Sequence, residues 1–105
     1  MPNLPTLQKT PFDSLLYNID LTALLNSTGA GTILGTPTIS ADRGNLEFGP
    51  VAVNEAGQIV QVRISGGDEQ VGYQRLVCLI TLYFYTTNVP DQLQANMNLE
   101  LVNVL

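Results

Sequence analysis

Residues 58–85 carry two apolar patterns that only a β-sheet accommodates side by side. Val60, Val62 and Ile64 alternate with Gln61, Arg63 and Ser65, the period of two of a strand with one wet face. Leu76, Cys78, Ile80, Leu82 and Phe84 then form one apolar row, and Val77, Leu79, Tyr83 and Tyr85 form a second on the opposite face. Between them lies a Ser65-Gly66-Gly67 turn that closes at Gly72 and Tyr73. The pattern predicts a β-hairpin whose second strand is dry on both sides. A two-sided apolar strand at a sheet edge would template aggregation, so this one belongs in the middle of a sheet, or its second face meets another subunit.

The rest of the chain reads the same way. Pro2, Pro5 and Pro11 forbid a regular helix over residues 1–12 and predict an extended arm that hangs free or lies on a neighbour. Leu15, Tyr17, Ile19 and Leu21 alternate with Leu16, Asn18 and Asp20 as a short strand with one strongly apolar face, after which Asp20 caps a brief helical turn over residues 21–25 that Asn26-Ser27-Thr28-Gly29 ends. From Thr32 onward turn signals recur about every ten residues, the spacing of sandwiches and barrels. Residues 32–40 contain Gly35 and Pro37, which call for an edge position or a bulge. A strand over 46–53 is broken at Gly49-Pro50, and Gly57 supplies the positive φ of a hairpin turn. Residues 95–105 form the last strand. Six or seven antiparallel strands in a single domain over 13–105 predict an all-β, immunoglobulin-like sandwich preceded by the 1–12 arm, with a small barrel as the competing architecture.

Composition narrows what such a domain does. At 105 residues it buries about two-thirds of its unfolded surface, enough to fold without staples. The net charge is −5 and the four basic residues are scattered, so no basic patch exists to displace counterions from nucleic acid. Only 12% of residues are charged, about half the usual share, as expected where much of the surface is interface. No apolar stretch is long enough for a membrane-spanning helix, and residues 1–12 lack the continuous apolar core of a secretory signal.

Catalytic chemistry has little to work with. There is no histidine, the commonest general base and metal ligand. Lys9, the one lysine, lies in the arm, and Cys78, the one thiol, lies in an apolar strand where it acts as a small hydrophobe. Asp68 and Glu69 form a wet loop tip without the regular oxygen ligands of a calcium site. Ser65-Gly66-Gly67 follows a strand without opening a helix, so it is a turn and not a phosphate cradle. Tyr73, at the start of a strand, reads as a corner residue bonding nearby backbone. The expectation is a non-enzymatic protein with no cofactor and no metal. Its candidate interface residues are Tyr83, Tyr85, Val77 and Leu79 on the strand, with Pro2, Leu4, Pro5 and Leu7 in the arm.

Two segments also resemble the small tailed-phage virion proteins known as fibre-tail adaptors. The family's Asp-x-x-x-Tyr-x-Phe-Asp-Trp-Ser-x-Trp-Leu is similar to the run holding Asp13, Tyr17, Ile19, Asp20, Leu21, Thr22, Leu24 and Leu25. Its Val-x-Val-x-Ile-Ser-Gly-Gly-Thr-Ala-Gly-x-x-Tyr is similar to residues 60–67 followed by Tyr73. Leucine stands at both tryptophan positions, and Gln70 stands where the third glycine falls. The resemblance implies a virion component assembled in the host cytoplasm, a homo-oligomer joining tail, neck or fibre proteins, with no nucleic-acid or membrane partner. The alternatives are a capsid decoration protein and a free carbohydrate- or protein-binding module. An arm that serves a neighbour predicts that a chain lacking residues 1–10 still folds but enters particles poorly.

Overall fold

The computed structural model describes Leu4, residues 6–70 and residues 74–102. Pro2, Pro5 and Tyr73 lie outside the described residues. Among the described residues eight strands and one short helix follow in the order β1 (Leu7–Lys9), β2 (Leu15–Asp20), α1 (Thr22–Thr28), β3 (Ile33–Ala41), β4 (Leu46–Phe48), β5 (Ala52–Val53), β6 (Ile59–Gly66), β7 (Arg75–Thr86) and β8 (Leu93–Val102). They form two sheets. One has the order β1-β8-β7-β3, and the other is β2-β6-β4, with β5 also on β6.

The fold is therefore all-β, but the hairpin expected over 58–85 is not present. β6 and β7 belong to different sheets, so the chain changes sheet between Gly66 and Arg75. The reason lies in the two apolar rows. Val60, Val62 and Ile64 on β6 and Cys78, Ile80, Leu82 and Phe84 on β7 are all buried in one cluster, so each row supplies one wall of the core. Side-by-side pairing would have put both rows in the same wall and left the opposite wall to shorter strands. Gly67 makes the crossing feasible: it sits at φ 118°, and a Cβ there would lie 2.8 Å from the Leu101 side chain. The true hairpins are β7–β8, with Phe84 opposite Leu93, and β5–β6, where Gly57 takes φ 70° as the turn requires. Asn54 locks that turn by accepting the Gln58 and Ile59 N–H groups on its side-chain oxygen.

Other local features follow their residues. β3 is an edge strand with a bulge between Leu34 and Thr38, the segment holding Gly35 and Pro37. β4 and β5 lie along one side of β6, separated at Pro50, while the Gly49 N–H still donates to the Arg63 carbonyl at 2.8 Å. Helix α1 starts one residue later than expected and ends three residues later, at Thr28. Leu21 occupies the N-cap position, and the Asp20 carboxylate accepts the Thr22 N–H at 2.9 Å from one place further back. Gly29 ends the helix in the left-handed conformation. Leu21, Leu24 and Leu25 are buried, so α1 closes one end of the core.

The arm departs most from expectation. Residues 7–9 are extended, but they lie on their own domain, as the edge strand β1 running parallel to β8 with Leu7 opposite Leu99 and Lys9 opposite Leu101. Leu7 and Lys9 share the inner face and Gln8 points outward. Lys9 is 2% exposed, and its ammonium donates to the carbonyls of Thr10, at 2.6 Å, and Gly66. Burial holds its pKa below the usual lysine value, with Asp13 and Cys78 partly opposing. Tyr17 on β2 adds a second tie, its hydroxyl donating to the Gln8 carbonyl at 2.7 Å.

These ties make two predictions. Removing residues 1–10 deletes an edge strand and uncovers Leu99 and Leu101, so the truncated chain should lose stability in urea titration instead of folding normally. Burial, with Asp13 adding to it, raises the Tyr17 pKa from 10.0 to about 12. The protonated phenol is thus favoured by the folded state, and the stability it contributes is intact below pH 10 and lost as pH rises through 12. Ring-carbon NMR of Tyr17 should show the midpoint near 12 in the folded chain. The loss should vanish in Tyr17→Phe.

Candidate functional site

β7 is central in its sheet, hydrogen-bonded to β8 on one side and to β3 on the other. A central position satisfies backbone groups along both edges but leaves the faces to the side chains. One face of β7 makes core. On the other, Val77, Leu79 and Tyr85 are 42–50% exposed, and Tyr83 is half-buried. The central position is thus as expected, whereas the expectation that both faces are covered fails within the single chain.

The ladder extends this stripe sideways. Leu34 of β3 is exposed and lies directly opposite Tyr85. Thr81, midway along the stripe, is buried between its neighbours and donates its hydroxyl to Asn96 at 3.0 Å. On the β8 side the outward positions opposite Val77, Leu79, Thr81 and Tyr83 are Glu100, Asn98, Asn96 and Gln94. A row of amides therefore borders the apolar stripe. Glu100 is the one carboxylate in that row, and it is held by Arg75 at 3.2 Å and Gln8 at 3.1 Å. The face has an apolar centre with a polar, nearly uncharged border, the anatomy of a protein interface.

Of the candidate interface residues, Val77, Leu79, Tyr83 and Tyr85 are brought together on this face. Leu4 joins them, lining a shallow depression with Thr6, Leu79, Asn96 and Asn98. Leu7 does not, because β1 turns it inward against the core. Pro2 and Pro5 fall outside the described residues. Sequence reasoning missed Leu34, whose phase is hidden by the bulge after it, and it missed the amide border, which depends on the β7–β8 register.

The one thiol lies on the opposite face of β7 and is enclosed. Cys78 is fully buried, and burial, with the Asp42 charge next, pushes its thiol pKa up. Gly44, at φ 94°, packs so closely on it that a Cβ would stand 2.7 Å from the sulfur. The Asp42 carboxylate is held below the usual range, chiefly by accepting the Leu79 N–H at 2.8 Å, which fixes the end of the β3–β7 ladder. Among the described residues no three His, Cys, Asp or Glu side chains stand close enough to share a metal ion. No helix among them is long and apolar enough to cross a membrane. No family model, curated protein or solved structure matches the chain.

The face assignment is testable by paired substitutions. Leu79→Thr and Tyr85→Thr should each change unfolding free energy by less than about 0.5 kcal/mol, as for exposed sheet positions. Ile80→Ala, one residue away on the inner face, should cost about 2–5 kcal/mol. Equal costs at both positions in denaturant titrations would contradict the assignment.

Proposed function

We propose that this chain is a non-enzymatic structural protein of a tailed-phage particle, an immunoglobulin-like β-sandwich of the fibre-tail adaptor kind that joins tail, neck or fibre components in a symmetric assembly. The observation that carries the reading is the stripe of Val77, Leu79, Tyr83, Tyr85 and Leu34 on the outer face of a sheet whose core and ladder are already complete. Folding does not require that face to be apolar. Apolar residues kept there serve something that covers them.

The mechanism is adhesion. Val77, Leu79 and Tyr85 are each already about half covered, so finishing their burial contributes roughly 1 kcal/mol apiece, with the tyrosine adding a hydroxyl for the border. The amide row supplies orientation through hydrogen bonds at little desolvation cost compared with charges. The resemblance of residues 13–25 and 60–73 to adaptor proteins supplies the setting. Against the free carbohydrate-binding module stands the chemistry of the strip, in which Val77, Leu79 and Leu34 offer no polar atoms to sugar hydroxyls.

The test is composition of the particle. Mass spectrometry of purified particles from the genome that encodes the chain should find it at a fixed copy number, and cross-linking should join the Leu79 face to a tail, neck or fibre protein. Leu79→Asp with Tyr85→Asp should fold normally and be excluded from particles. A chain absent from particles, or incorporated equally well with both aspartates, would overturn the reading.

A further inference from the structure

The two sheets have four edges, and three of them are blunted. β1 is only three residues long, β3 carries the bulge around Gly35 and Pro37, and the β4–β5 side is interrupted at Pro50. Short strands, bulges and proline are the devices that keep edges from pairing with other chains. β2 has none of them. Its six residues, Leu15 to Asp20, contain no Pro, Gly or Lys and run in unbroken register with β6.

The ladder fixes which backbone groups of β2 are left over. The Leu21 N–H donates to the Gln58 carbonyl at 2.9 Å, extending the register by one. Antiparallel pairs alternate between bonded and non-bonded, so residues 15, 17, 19 and 21 aim at β6. Leu16, Asn18 and Asp20 therefore direct their N–H and C=O groups away from the sheet, and among the described residues β2 has no second neighbour. Leu16 is 49% exposed beside this edge, and Leu15 is exposed although its phase is inward.

We propose that the free edge of β2 pairs antiparallel with β2 of a second copy of this chain, centred on Tyr17, so that the two β2-β6-β4 sheets become one. The backbone groups on offer belong to even-numbered residues, so a two-fold axis can stand at residue 16, 17 or 18. A centre at Leu16 pairs only three strand residues. A centre at Asn18 sets Leu16 against the carboxylate of the partner's Asp20. The Tyr17 centre pairs five residues, covers Leu15 with the partner's Ile19, and places the partner's Asp20 opposite Ser14.

Charge complementarity selects a second copy over a strand of another protein. Arg63 extends from the outer face of β6 across Leu16, its opposite number, and donates from Nη1 to the Ser14 carbonyl at 2.9 Å. Its guanidinium thus lies where this register brings the partner's Asp20, and among the described residues Arg63 forms no ion pair. The Asp20 carboxylate is engaged by Thr22, whose N–H donates to Oδ1 at 2.9 Å, and among the described residues it forms no ion pair either. The two-fold axis creates the Arg63–Asp20 contact twice. This pairing is a property of the chain alone and does not depend on the virion reading.

Light scattering on the full chain at high micromolar concentration should give twice the 11.4 kDa of one chain, with slowed hydrogen exchange at the Leu16 and Asn18 amides in the associated form. Asn18→Pro removes an N–H that the native ladder does not use, so it should yield the single-chain mass with an unchanged far-UV spectrum. Arg63→Glu and Asp20→Lys should each weaken association roughly tenfold, and the double variant should restore it. If Asn18→Pro fails to fold, the charge exchange decides. A single-chain mass for the unaltered protein, or a charge exchange without rescue, overturns the proposal. So does association that survives a folded Asn18→Pro and is lost only in Leu79→Asp, which would place self-association on the other sheet.

Discussion

Everything in this domain hangs on the closing of two apolar strand faces over a shared interior. The inward rows of β6 and β7 are fully or almost fully buried, and the inward rows of β2 and β8 join them in the same cluster. Neither sheet could stand alone, since a sheet with one apolar face must bury it against something. The glycine-rich crossing after β6 is what lets the chain leave one wall and enter the other. Closely packed glycines such as Gly44 and Gly67 then set how closely loops pack on that interior, because side chains there would strike Cys78 and Leu101.

The same arrangement explains why the outer face of β7 is left over. A strand supplies two faces, and the core uses one. In β6 and β8 the second face is polar: Gln61 and Arg63 on one, Gln94, Asn96 and Asn98 on the other. β7 departs from this rule along most of its length, and it does so in the centre of its sheet, where the strand's edges are protected and its apolar face cannot be explained by pairing. The division of labour is spatial. β7 offers a face in one sheet, and β2 offers an edge in the other.

The arm shows how a local reading and a tertiary one diverge. Three prolines in twelve residues rightly exclude a helix, and residues 7–9 are extended. Extended backbone still needs partners for its N–H and C=O groups, and the exposed edge of β8 provides them. Lys9 then faces inward, and its charge is tolerated because two backbone carbonyls receive its protons. A lysine in a proline-rich segment carries no local sign of burial; only its alternation with Leu7 about an outward Gln8 hints at it.

By itself the sequence determined most of the strand content and the breaks, because these depend on side chains a few residues apart. The period of two in β6, the proline-marked bulge in β3, the break at Gly49-Pro50, the Gly57 turn and the presence of a short helix before Gly29 are all local chemistry. The two-sided apolar character of β7 was equally legible. What the tertiary structure alone decided is partnership. Whether β6 pairs with β7 or packs against it, whether β1 joins its own sheet, and which residues border the exposed stripe depend on contacts between distant segments. Periodicity is blind to these, because it records which way a side chain points and not what stands opposite.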